Sequence, residues 1–196
     1  MDTSDRDSTG VCVYCGKFLS VHLIDTQDGL RQREVVRKKN AAAFLIYEPI
    51  RNAIILVSQV REPMITAENP AGLITEAPAG HLESNNIAAE IAREASEELG
   101  ATIQENQLFL INKSALLAVS PGWTTEQMAL GYVRLRPGQL EEGERQFGLA
   151  AEGENIKRKF ISVSDLSSMV FEDLKTFALV QWFLNNIKTQ TKEAAC

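Results

Sequence analysis

Four glutamates, Glu90, Glu94, Glu97 and Glu98, stand three and four residues apart in the stretch GHLESNNIAAEIAREASEELGA, from Gly80 to Ala101. Each residue of an α-helix advances by about 100°, so these carboxylates share roughly a quarter to a third of the circumference. Like charges at that spacing repel by roughly a few tenths of a kcal/mol per pair, and a cation or solvation has to offset this. Carboxylate oxygens are hard donors of the kind that hold Mg²⁺, so metal binding is one chemistry this face suits and plain solvation is the other. Ala88, Ile91, Ala92, Ala95 and Leu99 form an apolar stripe on the opposite side. The segment is therefore expected to be an amphipathic helix with its acidic side outward. Asn85 or Asn86 is suited to cap its start and Gly100 to close its end.

The elements that must hold this helix read mainly as strands. Residues 10–38 read as two strands joined at Asp25-Thr26-Gln27-Asp28-Gly29, whose Asp-Gly pair favours a hairpin. Beyond the basic stretch Arg31–Lys39, AAAFLIYEP and AIILVSQVRE give two central strands around a turn from Pro49 to Asn52. GLITEAPAGHLE is a short strand running into the loop before the acidic helix. ATIQENQLFLINKSALLAVS supplies further strand material, SPGWTTE a turn and MALGYVRLRP another strand. A polar loop runs from Gly138 to Asn155, and SDLSSMVFEDLKTFALVQWFLNNIK reads as two helices separated near Glu172-Asp173. Strands mixed with a few helices make the class α/β or α+β.

A chain of 196 residues with 44% hydrophobic content fits one packed domain, or one with a small appendage. Its net charge of -6 argues against a nucleic-acid or anionic-membrane partner. There is no apolar run of membrane-spanning length, and MDTSDRDSTG lacks the order of a signal peptide, so a cytoplasmic protein is expected. Cys12, Cys15 and Cys196 are too few and too odd in number for a disulfide framework. Cys12 and Cys15 form a C-x-x-C within VCVYCGKFLSVHLI, but residues three apart in a regular strand face opposite ways. They are read as ordinary strand cysteines.

The acidic helix resembles the second half of the Nudix box, G-x5-E-x7-R-E-U-x-E-E-x-G-U with U apolar, through Arg93-Glu94-Ala95-Ser96-Glu97-Glu98-Leu99-Gly100-Ala101. Gly80 supplies the box's first glycine. The interval from Gly80 to Arg93 is one residue shorter than the pattern, and Asn85 or Asn86 falls where the family has its first glutamate. Outside the box the chain is similar to the ADP-ribose and nucleotide-sugar pyrophosphatase branch. The likeness lies in Arg33-Glu34, Gln59-Val60-Arg61, Glu76-Ala77-Pro78-Ala79-Gly80, Ser120-Pro121-Gly122 with Glu126, and Glu152-Gly153-Glu154-Asn155. The shortened box and the segment holding Lys175 resemble the GDP-mannose hydrolases of that branch.

The resemblance implies an α/β fold: a Nudix α/β/α sandwich with a mixed β-sheet (residues 40–196) and a small N-terminal antiparallel β domain (1–39) that forms a homodimer. It implies an enzyme that hydrolyses the diphosphate bond of a nucleoside diphosphate sugar, with ADP-ribose and GDP-mannose heading the substrates. Mg²⁺, or Mn²⁺ in its place, would be held by the carbonyl of Ala79 with Glu94, Glu98 and Glu154, Glu97 bridging to a second ion or a water. Glu154 is the expected base and Glu152 its rival. Arg33, Arg61, Glu126 and Lys175 are the expected substrate contacts. A Nudix-fold sensor that binds nucleotide sugars without turnover is the alternative, as is a dinucleoside polyphosphate or coenzyme A pyrophosphatase.

Overall fold

The computed structural model describes residues 10–143, 146–148 and 155–187. In chain order the elements are β1 (Gly10–Cys15), β2 (Leu19–Asp25), β3 (Gln32–Lys38), β4 (Ala41–Glu48), β5 (Ala53–Val60), β6 (Leu73–Glu76) and β7 (Ala79–His81). There follow α1 (Ile87–Leu99), β8 (Phe109–Leu110), β9 (Leu117–Ala118), β10 (Gln127–Arg134), β11 (Gln146–Phe147), β12 (Ile156–Ser162) and α2 (Leu174–Asn186). The chain divides into two compact units, one made by residues through 41 together with 116–128, the other by 42–115 and the residues from 129 onward.

The first unit is built on an antiparallel sheet in the order β1-β2-β3. Three strands form where the sequence suggests two, because VCVYC and LSVHLID are separated by a turn closed by the Gly16 N–H donating to the Leu19 carbonyl at 2.9 Å. The Asp-Gly turn between β2 and β3 is present, with Gly29 at φ 67°. Strand β1 carries a bulge between Cys12 and Tyr14, so Cys12 lies opposite His22 and Cys15 opposite Ser20. His22 and Ser20 are two apart on β2 and share a face, their side chains 2.9 Å apart. Both cysteines therefore face the same way, which corrects the reading from regular strand geometry. On the far edge, the Val36 N–H donates to the Trp123 carbonyl at 2.7 Å and the Thr125 N–H to the Val36 carbonyl at 2.9 Å.

The larger sheet is mixed and runs β11-β12-β5-β4-β10-β8, with β6 on β5 and β7 on β4. β4 and β5 are its centre, and their unbroken apolar runs fit strands covered on both faces. Phe44, Leu45, Ile46, Ile54, Ile55, Leu56 and Val57 are fully buried. Adjacent residues of β10 show which helix covers which face. A Cβ on Gly131 would lie 2.9 Å from Ile91 Cδ1 of α1, while Tyr132 packs against Trp182 of α2 with ring centroids 5.4 Å apart. Neighbouring strand residues point oppositely, so α1 and α2 lie on opposite faces, the α/β/α sandwich expected.

Two expectations fail locally. The segment after Ala101 forms short 3₁₀ turns and the two-residue strands β8 and β9 rather than long strands. The first C-terminal helix is also absent: Val163–Ser168 forms turns, with the Asp165 N–H donating to the Ser162 carbonyl and the Ser168 hydroxyl donating to the Asp165 carbonyl. Ser and Asp side chains offer the backbone local partners that compete with helix formation. Helix α2 starts instead at Asp173, whose side chain accepts from the Thr176 N–H at 2.9 Å. Among the described residues no helix is long and apolar enough to cross a membrane.

Burial between the sheet and α2 pushes the Tyr132 hydroxyl up to about 12. The unfolded chain ionises this phenol near about 10, so the folded state holds the proton where the unfolded state has released it. The resulting stability is fully present below pH 10 and is lost as pH rises towards 12. Urea unfolding on either side of pH 10 should show a decline in wild type that Tyr132→Phe reduces; equal declines would contradict it.

Candidate active site

Helix α1 is fixed at both ends. Asn86 caps its start by accepting from the Ala89 N–H at 3.2 Å, and its amide donates to Glu105 at 3.0 Å. The position that departs from the box pattern thus serves as a helix cap. At the other end Gly100 turns left-handed at φ 62°. Arg158 of β12 donates to the Leu99 carbonyl at 2.8 Å and to the carbonyls of Glu141 and Gly143 at 3.0 and 2.9 Å. A guanidinium there satisfies a carbonyl with no helical partner and suits the negative end of the helix dipole.

Ile91, Ala95 and Leu99 are fully buried as the stripe predicts. The acidic side does not simply face water: Glu98 is 3% exposed and Glu90 7%. Strand β7 packs beside α1, and a Cβ on Gly80 would lie 1.8 Å from Glu94 Oε1, so this carboxylate rests directly on the Gly80 backbone. The carbonyl of Ala79 belongs to the peptide unit that enters Gly80.

Arg93 offsets part of the repulsion by pairing with three of the four glutamates. Its guanidinium donates to Glu94 Oε1 and Glu97 Oε2, each at 2.6 Å, and to Glu90 Oε2 at 3.3 Å. Burial disfavours its charge, but the charges of Glu94 and Glu97 and the hydrogen bonds outweigh burial and raise its pKa above the ordinary value. Among the described residues no three acidic, imidazole or thiol groups converge to enclose a cation. The donor set nevertheless fits a hard divalent ion: Glu94 and Glu98 lie one turn apart, Glu94 against the Gly80 backbone, and every donor is oxygen.

A second cluster lies at the start of α2. Glu76, 2% exposed at the end of β6, accepts from Arg61 Nε at 2.6 Å and from Lys175 Nζ. Lys175 also donates to Asp173 at 3.1 Å. Fully buried Thr176 accepts from the Ala77 N–H at 2.6 Å, tying α2 to the segment that leads into Gly80. Sequence reasoning quoted Glu76 only as part of a motif; a carboxylate in the apolar run LITEAPAG was the available signal. Nothing local marked Arg158, whose carbonyl partners lie 15 to 59 residues away. Glu76→Ala leaves Arg61 and Lys175 without their shared anion and should cost about 2–4 kcal/mol, less than a fully buried pair because Arg61 is partly exposed. Urea denaturation measures this, and a loss under about 0.5 kcal/mol would place the cluster among ordinary surface pairs.

Glu94, Glu97 and Glu98 thus share α1, with Ala79 on the neighbouring strand β7, and Arg61 and Lys175 meet through Glu76. Arg33 and Glu126 belong to the first unit, Arg33 exposed opposite Ile24 and Glu126 paired with Lys38 at 3.1 Å. Glu152 and Glu154 lie outside the described residues. The chain on either side of them is anchored beside α1: the Gly148 N–H donates to the Glu97 carbonyl at 3.2 Å, and Phe147 pairs with Ile156.

No family model matches the chain. It is 30% identical over 154 residues to a GDP-mannose pyrophosphatase of Yersinia pestis (strain Pestoides F), covering 76% of this chain and 73% of that protein. It is 28% identical over 159 residues to a GDP-mannose pyrophosphatase of Cronobacter sakazakii, covering 76% of each. A solved structure described as an ADP compounds hydrolase matches with a TM-score of 0.65 over 92% of both chains at 18% identity, a likeness of fold. With the box residues on a capped helix, a sandwich of matching topology and relatives that share most of its length, the chain belongs to the Nudix hydrolase family, on the branch that holds these pyrophosphatases.

Proposed function

We propose that this enzyme hydrolyses the diphosphate bond of a nucleoside diphosphate sugar of the GDP-mannose or ADP-ribose type, releasing a nucleoside monophosphate and a sugar phosphate. The observation that carries the reading is the row of carboxylates on α1, set against the Gly80 backbone in a chain similar to proteins named GDP-mannose pyrophosphatase. A diphosphate resists attack because its oxygens are already negative, so catalysis needs positive charge where more charge develops. Mg²⁺, or Mn²⁺ in its place, would be held by Ala79, Glu94, Glu98 and Glu154 and would supply that charge. Glu97 would bind a second ion or a water beside them, and Glu154, or else Glu152, takes the proton of the attacking water. Both loop glutamates follow Gly148, whose bond to Glu97 supports their assignment to this site.

Arg61 is the main phosphate clamp, since Glu76 holds its Nε and thereby sets the plane of the guanidinium fork. Lys175, on the same carboxylate, adds charge next to it. Arg33 and Glu126 contact the nucleotide or sugar. Residues 1–39 act as the dimerisation region of a homodimer and 40–196 as the hydrolase domain, in a cytoplasmic protein with no nucleic-acid or membrane partner.

The test is phosphatase-coupled phosphate release from ADP-ribose, GDP-mannose, UDP-glucose, ADP-glucose and diadenosine polyphosphates, with and without Mg²⁺. Cation-dependent cleavage of one sugar nucleotide above the others is the expected result. Tight binding of a sugar nucleotide with no cleavage of any compound would overturn it in favour of a sensor.

A further inference from the structure

The hydrolytic site leaves the C-x-x-C of β1 unused. In a regular strand Cys12 and Cys15 would lie about 10 Å apart with side chains on opposite faces, and no bond could join them. The bulge changes both facts. Between Cys12 and Cys15 the partner strand advances only from His22 to Ser20, so three residues of β1 occupy the length of two. The Cα separation this implies is about 6.6 Å, at the upper end of the range that a disulfide spans.

The side chains follow the backbone. Cys12 and Cys15 stand in the rows of His22 and Ser20, whose own side chains meet at 2.9 Å on that face. The Cys12 thiol leans along the strand towards its neighbour and donates to the Tyr14 carbonyl at 3.2 Å, an atom of the peptide unit that carries Cys15. In the single chain both cysteines are exposed on the outer strand of their sheet, so a small molecule can reach them wherever a dimer leaves β1 uncovered. Arg37 lies opposite Ser20, in the row of Cys15, and Arg33 lies opposite Ile24. This face is therefore cationic and suits an anionic thiol such as glutathione. Among the described residues no third ligand completes a metal site around the two thiols.

We infer that Cys12 and Cys15 form a thiol–disulfide redox pair, closed by exchange with a small-molecule disulfide. One thiolate attacks a sulfur of the small disulfide, forming a mixed disulfide and releasing one small thiol. The second cysteine attacks the protein-bound sulfur, closing the Cys12–Cys15 bond and releasing the second small thiol. The two protein thiols lose two electrons and two protons, which the small disulfide gains as it becomes two thiols.

The experiment uses the full chain carrying Cys196→Ser, equilibrated with reduced and oxidised glutathione at a series of ratios. Free thiols are counted, and intact mass is measured before and after dithiothreitol. Both thiols should disappear together, with loss of two hydrogens, no bound glutathione and no cross-linked chains. Because the folded strand holds the pair together, closure should be favoured by about tenfold or more over the same chain in urea, a difference of about 30 mV. With Cys12→Ser or Cys15→Ser the remaining thiol should retain one glutathione. Two glutathiones on the parent chain, disulfides between chains, a dithiol that persists at every ratio, or closure no better than in urea would each overturn the inference.

Discussion

Glu94→Gln lowers kcat for hydrolysis of the preferred sugar nucleotide by about 10²–10⁴-fold, the equivalent of several kcal/mol of transition-state stabilisation. The substitution is nearly isosteric, and the amide oxygen can still accept from Arg93, which now bonds Glu94 Oε1 at 2.6 Å. What disappears is the negative charge set against the Gly80 backbone. If that charge holds a divalent cation, the Mg²⁺ concentration needed for half-maximal rate should rise as kcat falls. Stability should hardly change, because Glu90 and Glu97 still pair with Arg93. Steady-state kinetics across a Mg²⁺ titration, with a urea curve for fold, is the check. An unchanged kcat would remove Glu94 from the ligand set.

Gly80→Ala should reproduce most of that loss without touching a charge. The added methyl would lie 1.8 Å from Glu94 Oε1, 2.0 Å from Cδ and 2.6 Å from Cγ, so the whole end of the side chain has to move. Gly80 is not among the glycines with positive φ, so the penalty is one of space rather than backbone conformation. Glu94 is flexible enough to swing aside, which keeps the cost in stability to about 1–3 kcal/mol. The catalytic cost should approach that of Glu94→Gln, and the double variant should be little worse than either, as for two changes that remove one interaction. Fully additive losses in kcat would mean that Gly80 and Glu94 act separately.

Helix α1 was legible because its signals are local: a cap residue, an apolar period and a terminal glycine all fall within one short stretch. The central strands β4 and β5 were legible for a similar reason, as apolar runs bounded by a turn. The burial of Glu90 and Glu98 was not, since it depends on elements that pack over the helix from elsewhere in the chain. Nor was the link from Glu76 to Lys175, which joins residues 99 apart. The bulge in β1 is invisible for another reason. VCVYC alternates as a plain strand would, and only its pairing with β2 reveals the extra residue. At the C-terminus the apolar spacing of SDLSSMVF suggested a helix, but the hydroxyls of Ser162 and Ser168 captured the backbone locally.

Arg93 has a consequence for the order in which this molecule comes together. A row of glutamates that depended on a bound metal for neutralisation would leave its helix unfinished until the ion arrived, as happens in small domains that fold around their metal. Here part of that neutralisation is encoded in the same helix, by Arg93, one residue before Glu94 and four before Glu97. The helix can therefore form with three of its four carboxylates already paired, before any ion is bound.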